Sequence, residues 1–297
     1  MNRVILYYKY IKIDNPKAFL KSQKKLCLRL NLKGRIIISW EGLNGTLSGL
    51  KNNIEIYKNI LLEDTRFEDI VFKESDIKGD IFPKLSIKIR DEIVTLKEKI
   101  DIVSENSLKG KYISPEDFHD IVLNKDGDTI ILDARNNYES LIGRFKGALT
   151  PDIDNFRDLP GYIENLKEYR DKKIVMYCTG GVRCEKASAL LIKRGFRNVY
   201  QLKEGILNYA KYYPEDFEGK CYVFDKRISV PLDKNNVKII SKCKHCNIIS
   251  DIYINCANKQ CNMQFISCKN CIEKFHHTCS LDCKSFITIH SFKNLNK

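Results

Sequence analysis

The sequence predicts a mixed α/β and α+β protein in three parts: an N-terminal α+β sandwich, a central parallel-sheet α/β unit and a small cysteine-rich region. Three observations predict it. The first hundred residues give strand and helix signals in the order strand, helix, strand, strand, helix, strand. The next hundred alternate apolar strands with amphipathic helices. Eight of the 12 cysteines fall after Ile240. The expected domains are residues 1–107, 108–217 and 218–297.

In the first part "VILYYKYIKI" predicts a strand and "NPKAFLKSQKKLCLRLNL" a helix. Asn15 caps that helix, Pro16 sits in its first turn, and Phe19, Leu20, Gln23, Leu26, Cys27 and Leu30 share one face, with Gly34 ending it. "RIIISW" and "TLSGL" predict strands flanking "EGLNG", whose Asn44-Gly45 pair is a hairpin-turn signal. A second helix, "NNIEIYKNILLEDTRF", and the strands "DIVFKESD" and "PKLSIKIRDEIVTL" complete the order of a ferredoxin-like sandwich.

In the second part Ser114 caps a helix with Pro115 at its first position. "TIILDARNNYESLIGRFKGAL" predicts a strand running into a polar loop, and "YIENLKEYRDKKIVMYC" a helix and a buried strand. "RCEKASALLIKRGF" predicts a helix closed by Gly195, and "NVYQLKEGILNYAKYY" a strand and a last helix. This alternation implies a parallel sheet covered on both faces.

The net charge of +13 is uneven, because residues 1–35 hold ten Lys/Arg against the single acid Asp14. Such an excess fits either a polyanionic partner or a solvated lysine-rich helix. Lys21, Lys24, Lys25, Lys33 and Arg35 are the candidate phosphate contacts. Tyr7, Tyr8, Tyr10 and Trp40 are candidates for base stacking, with packing in the sheet expected for Tyr7 and Trp40. No apolar run approaches a membrane span and "MNRVILYYKY" is too short for a signal peptide, so a soluble cytoplasmic chain with reduced thiols is expected, with no membrane or stable protein partner implied.

"IVMYCTGGVRCEKASALL" places Cys178 where a buried strand gives way to a helix, the position at which open parallel sheets bind ligands. Gly180 and Gly181 allow the amides of Thr179 to Arg183, Val182 included, to turn inward as an anion nest, and the following helix and Arg183 add positive potential. That environment favours the thiolate, the nucleophilic form. Four residues separate Cys178 from Arg183, one fewer than in a tyrosine-phosphatase cradle, which suits a sulfur atom or compact adduct better than a phosphate. Cys184 fits either a resolving thiol or a packed side chain.

Four close pairs occupy the C-terminal region: Cys243 and Cys246, Cys256 and Cys261, Cys268 and Cys271, Cys279 and Cys283. They supply two four-thiolate sites, for which structural zinc is the preferred occupant and an iron cluster the alternative. The pairing is open, first with third and second with fourth being one arrangement. His245, His276 and His277 are reserve ligands.

"LDARNNYESLIGRFKGAL" followed by "YCTGGVRCEKASALLIKRGFRNVYQLKEGI" resembles a rhodanese domain. Asp133, Arg135 and Glu139 match its first motif, Cys178 to Arg183 its active loop, and Gly143-Arg144 stands where many such domains have Gly-His. With "EGLNGTLSG", "FPKLSIKIRDEIVTL", "GKCYVFDKRISVPL" and the terminal cysteines, essentially the whole chain resembles the rhodanese-like tRNA uridine hydroxylases. The resemblance implies oxygen-dependent conversion of the wobble uridine at position 34 to 5-hydroxyuridine. It also implies a tRNA anticodon region as substrate and Cys178 as the catalytic cysteine, able to carry a persulfide. Asp133 and Arg135 are expected to brace the loop, an Asp after a strand commonly bonding nearby backbone. Molecular oxygen would be the cosubstrate, and no flavin or nicotinamide fingerprint identifies the electron donor. Two other readings stand beside this one: a sulfurtransferase carrying a Cys178 persulfide, and a non-catalytic RNA-binding module.

Overall fold

The computed structural model describes residues 1–105, 108–124 and 127–295. The expected domain boundary at 107 lies outside them. The chain divides into two compact units, one of Met1–Asn136, Gly147–Pro214 and Phe224–Arg227, the other of Asn137–Lys146, Glu215–Val223 and Ile228–Lys297.

The first unit begins with strand β1 (Asn2–Tyr10), helix α1 (Pro16–Arg29), β2 (Lys33–Ser39), β3 (Gly42–Leu50), α2 (Lys51–Leu62), β4 (Lys73–Ile77) and β5 (Leu85–Ile89). Asn15 caps α1 by accepting from the Ala18 amide at 3.0 Å, the cap expected before Pro16. The strands form one sheet in the order β4-β1-β3-β2-β5, in which only β2 and β5 run parallel. Ile5, Tyr7, Ile36, Ile38, Leu43 and Leu47 point to one face and pack with residues of α1 and α2. By the two-residue period, the opposite face carries Leu6, Tyr8 and Tyr10 of β1, Lys73 of β4 and Arg35 of β2.

Three expectations fail locally. Asn44-Gly45 is not the hairpin turn: Ser39 pairs with Gly42, so Trp40 and Glu41 make the turn, and Asn44 and Gly45 lie inside β3. Gly45 is needed there because a Cβ would stand 2.4 Å from the Tyr7 ring across the ladder. Gly34 does not end α1 either; the helix stops at Leu30, Asn31 takes the left-handed backbone (φ 49°), and Gly34 belongs to β2. Tyr7 is buried as expected, whereas Trp40, expected to pack, is 47% exposed.

The chain continues through β6 (Lys111–Ile113), α3 (Pro115–Leu123) and β7 (Thr129–Asp133), then α4 (Asn137–Ile142) and β8 (Gly143–Phe145) of the other unit. It returns with α5 (Leu159–Ile163), β9 (Lys173–Tyr177), α6 (Val182–Lys193), β10 (Asn198–Leu202) and α7 (Gly205–Tyr209). The strands form a parallel sheet in the order β6-β10-β9-β7. Ile174 and Met176 of β9 pack with Ala187, Leu190 and Leu191 of α6. On the other face Tyr177 meets Phe118 of α3, which meets Tyr209 of α7.

Within this unit α6 is tied to the N-terminal sandwich. Lys186, 1% exposed, holds Glu41 at 2.9 Å and Glu92 at 2.6 Å. Glu41 also accepts from the Ile93 amide at 2.8 Å.

The second unit adds β11 (Phe217–Gly219), β12 (Cys221–Tyr222), β13 (Ser229–Val230), β14 (Tyr253–Asn255), β15 (Gln264–Ile266), α8 (Lys269–Lys274) and α9 (Leu281–Leu295). β8 pairs with β11, β12 with β13, and β14 with β15, all antiparallel. One of its apolar clusters joins Ile142, Tyr222, Tyr253 and Ile266, with Tyr138 and Ile228 against them; another joins Phe265 to Cys256 and Cys279, and Phe145 meets Phe217.

The Tyr7–Gly45 contact makes a direct prediction. Gly45→Val forces a branched side chain into the Tyr7 ring and should cost about 1–3 kcal/mol, read as a lower denaturation midpoint. An unchanged midpoint would mean that the ladder relaxes at no cost.

Candidate active site and cysteine clusters

Cys178 follows β9 at the carboxyl end of the parallel sheet and is fully buried. The Gly181 amide donates to its Sγ at 3.1 Å, with Gly181 at φ 100° as the cap of α6. The loop is also held from behind, where the amides of Ile206 and Leu207, in α7, donate to the carbonyls of Cys178 and Thr179 at 3.0 and 3.1 Å. Arg183 reaches the Thr179 hydroxyl at 3.3 Å, and its guanidinium lies 6.0 Å from the Phe224 ring centre.

Burial by itself would push the Cys178 thiol up. The hydrogen bond from Cys184, the charge of Arg183 and the amides of Cys184 and Arg183 together outweigh it and bring the thiol down to about 6. Cys184 moves the opposite way, well above the ordinary thiol range, through burial and the neighbouring Cys178. The pair is therefore split into a thiolate and a protonated donor, with Cys184 placed to support the charge on Cys178.

The glycines of the loop have a second reason to be glycines. A Cβ on Gly180 would stand 2.6 Å from Leu6, and one on Gly181 2.6 Å from the Tyr8 hydroxyl. The open face of the N-terminal sheet thus lies directly on the loop. Tyr10 adds a hydrogen bond to the Val182 carbonyl at 3.0 Å. Glu185, in the first turn of α6 and 3% exposed, accepts from Tyr8 at 3.1 Å and Tyr112 at 2.8 Å, with Lys109 at 3.7 Å.

Asp133 and Arg135 are both wholly buried. Arg135 closes a two-point pair on Asp133 at 2.9 and 2.6 Å, and Asp133 accepts from the Tyr177 hydroxyl at 2.7 Å, bracing the residue next to the thiol. In the other unit, Glu139 is buried in α4, and Arg144 donates to the Ser140 carbonyl at 3.2 Å.

The five basic candidates are not brought together. Lys21, Lys24 and Lys25 are exposed on α1, in the helical layer, whereas the sheet face that meets the loop is the opposite one. Lys33 and Arg35 leave that opposite face from β2, two strands from β1 and so about 10 Å away. Lys33 is paired with Asp80.

Sequence reasoning missed Glu185, Gly205 and Lys73. A Cβ on Gly205 would stand 2.4 Å from the Cys178 carbonyl, which only its place in "KEGI" after a strand hints at. Glu185 and Lys73 look like surface charges in sequence, yet both are buried.

The cysteines cluster as Cys243, Cys246, Cys268 and Cys271, and as Cys256, Cys261, Cys279 and Cys283, with the sulfurs of each set within 4.8 Å of one another. The first pair meets the third and the second meets the fourth. A tetrahedral zinc with bonds of about 2.3 Å needs sulfurs about 3.8 Å apart. Cys246–Cys268 and Cys261–Cys279 are at 3.6 Å and Cys279–Cys283 at 3.8 Å, so both sets fit such an ion. Neither set includes a histidine; His245 instead bonds the Thr278 carbonyl at 3.0 Å and stacks on Phe275.

Two predictions follow from these geometries. Thiolate absorbance, taken as the difference between the protein and Cys178→Ala, should titrate near pH 6, so that most of the thiol is ionised at neutral pH; a midpoint near the ordinary 8.5 would remove the nest's electrostatic role. Elemental analysis should give two zinc ions per chain, with Cys243→Ser and Cys256→Ser each retaining one; equal loss of both from either variant would contradict two independent sites.

Comparison with known proteins covers the same three regions. The UPF0176 acylphosphatase like domain matches residues 2–93, the Rhodanese-like domain residues 114–212, and the Rhodanase C-terminal residues 218–284. The tRNA uridine(34) hydroxylase of Bacillus licheniformis is 44% identical over 286 residues, 95% of this chain and 88% of that protein. Its counterpart in Staphylococcus epidermidis is 46% identical with the same coverage. The one in Cytophaga hutchinsonii is 43% identical over 283 residues, 95% of this chain and 89% of that protein. With a shared architecture and identity of this level along nearly its whole length, the chain belongs to the tRNA uridine(34) hydroxylase family.

Proposed function

We propose that this chain hydroxylates the wobble uridine of its substrate tRNAs, forming 5-hydroxyuridine with molecular oxygen in the cytoplasm. The observation that carries the reading is a thiolate at Cys178, held at the end of β9 in a chain related along its length to tRNA uridine(34) hydroxylases.

The reaction replaces the hydrogen on carbon 5 by a hydroxyl. One oxygen atom of dioxygen enters the ring and the other leaves as water, which takes two electrons and two protons from an external reductant. Addition of the Cys178 thiolate to carbon 6 would make carbon 5 nucleophilic toward the oxidant. Loss of the carbon 5 proton and of the thiolate would then restore the 5,6 double bond. Arg183 and the loop amides stabilise the thiolate both before it adds and as it leaves. The exposed Lys21, Lys24, Lys25 and Arg35, with Lys33, are candidate contacts to the tRNA backbone, those on α1 serving parts of the molecule away from the loop. The two thiolate sets hold structural zinc and thereby fold a region with little core of its own.

One observation favours a second part for the same thiol. Cys178 has no exposed surface, and a persulfide would add only one sulfur atom at its nest. A sulfur-transfer activity would use the loop in that way.

Nucleoside mass spectrometry on tRNA from a strain lacking this gene, rescued with wild type or Cys178→Ala, tests the reading. Loss of 5-hydroxyuridine and its derivatives, restored only by wild type, is expected. Hydroxyuridine retained in the deletion strain, with thiolated nucleosides altered, would replace hydroxylation by sulfur transfer.

A further inference from the structure

A pocket of about 350 Å³ opens beside the active loop within the first unit. Three tyrosines, Tyr8, Tyr10 and Tyr112, and four lysines, Lys9, Lys73, Lys109 and Lys203, line it together with the acids Asp69, Glu185 and Glu204. The pocket and the loop share a wall, since Tyr8 covers Gly181 on one side and bonds Glu185 at 3.1 Å. The volume is in the range of small-ligand sites, about 300–1,000 Å³.

Lys73 is the residue without an explanation. It is the cross-strand partner of Leu6, so it rises from the sheet face that covers the loop. It is 5% exposed, and its ammonium lies 5.0 Å from the Tyr8 ring centre. Among the described residues no hydrogen bond or ion pair holds that ammonium. Burial brings its pKa down to about 8, with the charges of Glu204 and Cys178 opposing the fall, so it remains largely protonated at neutral pH. Since Lys73 lines the pocket, the acceptor for its ammonium must come from what occupies the pocket.

A second feature lies on the same wall. Glu204 lines the pocket in a left-handed backbone (φ 63°), unusual for a residue other than glycine, immediately before Gly205 meets the Cys178 carbonyl. Backbone strain of this sort collects at functional sites.

Building on the uridine-hydroxylase reading, we propose that this pocket receives the extruded target pyrimidine, with Lys73 donating to the carbon 4 carbonyl oxygen of the base and so selecting uracil over cytosine. The selection follows from donor and acceptor chemistry. Uracil presents an acceptor oxygen at carbon 4 where cytosine presents an amino donor, and an ammonium has only donors to offer. The tyrosines provide faces on which an unstacked base can lie, and Lys109 and Lys203 meet the flanking phosphates.

The test uses the full-length chain with Cys178→Ala, which binds without turnover. Two fluorescent anticodon stem-loop RNAs, identical except for uridine or cytidine at position 34, are titrated by anisotropy. A preference for uridine of about tenfold or more is expected, falling below about threefold when Lys73→Met is added, with cytidine binding nearly unchanged. A preference that survives Lys73→Met, or none to begin with, overturns the proposal. If Lys73→Met does not fold, Tyr112→Ala at the exposed rim takes its place, with at least about fivefold weaker uridine binding expected. Unchanged binding in that variant overturns the proposal equally. Nucleoside analysis of the wild-type rescue keeps the two questions apart: absence of 5-hydroxyuridine there removes the hydroxylase reading itself, whereas its presence with an intact preference in Lys73→Met removes only the pocket.

Discussion

Lys186 sits one turn into α6, almost without solvent, between the carboxylates of Glu41 and Glu92. A charge buried this completely is tolerated only when partners neutralise it on the spot, and removing one partner typically costs about 3–5 kcal/mol. The bond therefore fixes where α6 lies against the N-terminal sandwich, and with it everything at the start of α6. The Cys178 loop, the Gly181 cap and Glu185 are all placed by the same helix, and the open face of the N-terminal sheet becomes the roof of the loop. Leu6, Tyr8 and Tyr10 occupy that roof by the plain alternation of a strand, their neighbours Ile5 and Tyr7 pointing into the sandwich core.

Beneath that roof the electrostatics of two thiols are driven apart. Both are fully buried, and burial disfavours the ion in each case. What separates them is the supply of donors: Cys178 receives amides, a guanidinium and the Cys184 hydrogen, whereas Cys184 faces the resulting negative charge. The opposite shifts leave Cys178 as the ion and Cys184 as the protonated neighbour that donates to it. The Asp133–Arg135 pair acts at one remove, through Tyr177, and α7 holds the loop carbonyls, so the thiolate is positioned from two further directions by groups that do not compete with the nest amides.

The second unit solves a different problem. Its apolar clusters among the described residues are small, each a handful of side chains. Interleaving the cysteine pairs means that a metal held by either four-thiolate set would close the chain across the other set's cysteines, so that both would restrain the same short hairpin and helices. α4 and β8 join this unit although their sequence lies within the rhodanese-like stretch; Tyr138 and Ile142 pack with Tyr222, and β8 pairs with β11.

Much of this was legible in the residues alone. Periodicity and caps identify most elements, because Asn15-Pro16 and Ser114-Pro115 act locally, and the cysteine spacings announce four-thiolate sites because ligands of one pair must be close in sequence to grip one face of an ion. The Cys178 loop was legible for the same reason, its glycines, arginine and helix being neighbours in the chain. The tertiary structure decided whatever depends on segments far apart. Asn44-Gly45 carries a turn signal, but the Tyr7 ring across the ladder claims Gly45 for a strand interior. The α1 lysines look like part of one basic patch with Arg35, but helix and strand residues leave opposite faces of the sandwich. Lys73, Glu185 and Lys186 read as ordinary surface charges, and only the meeting of the N-terminal sheet with α6 buries them beside the thiol, because burial is a property of the contact and not of the residue.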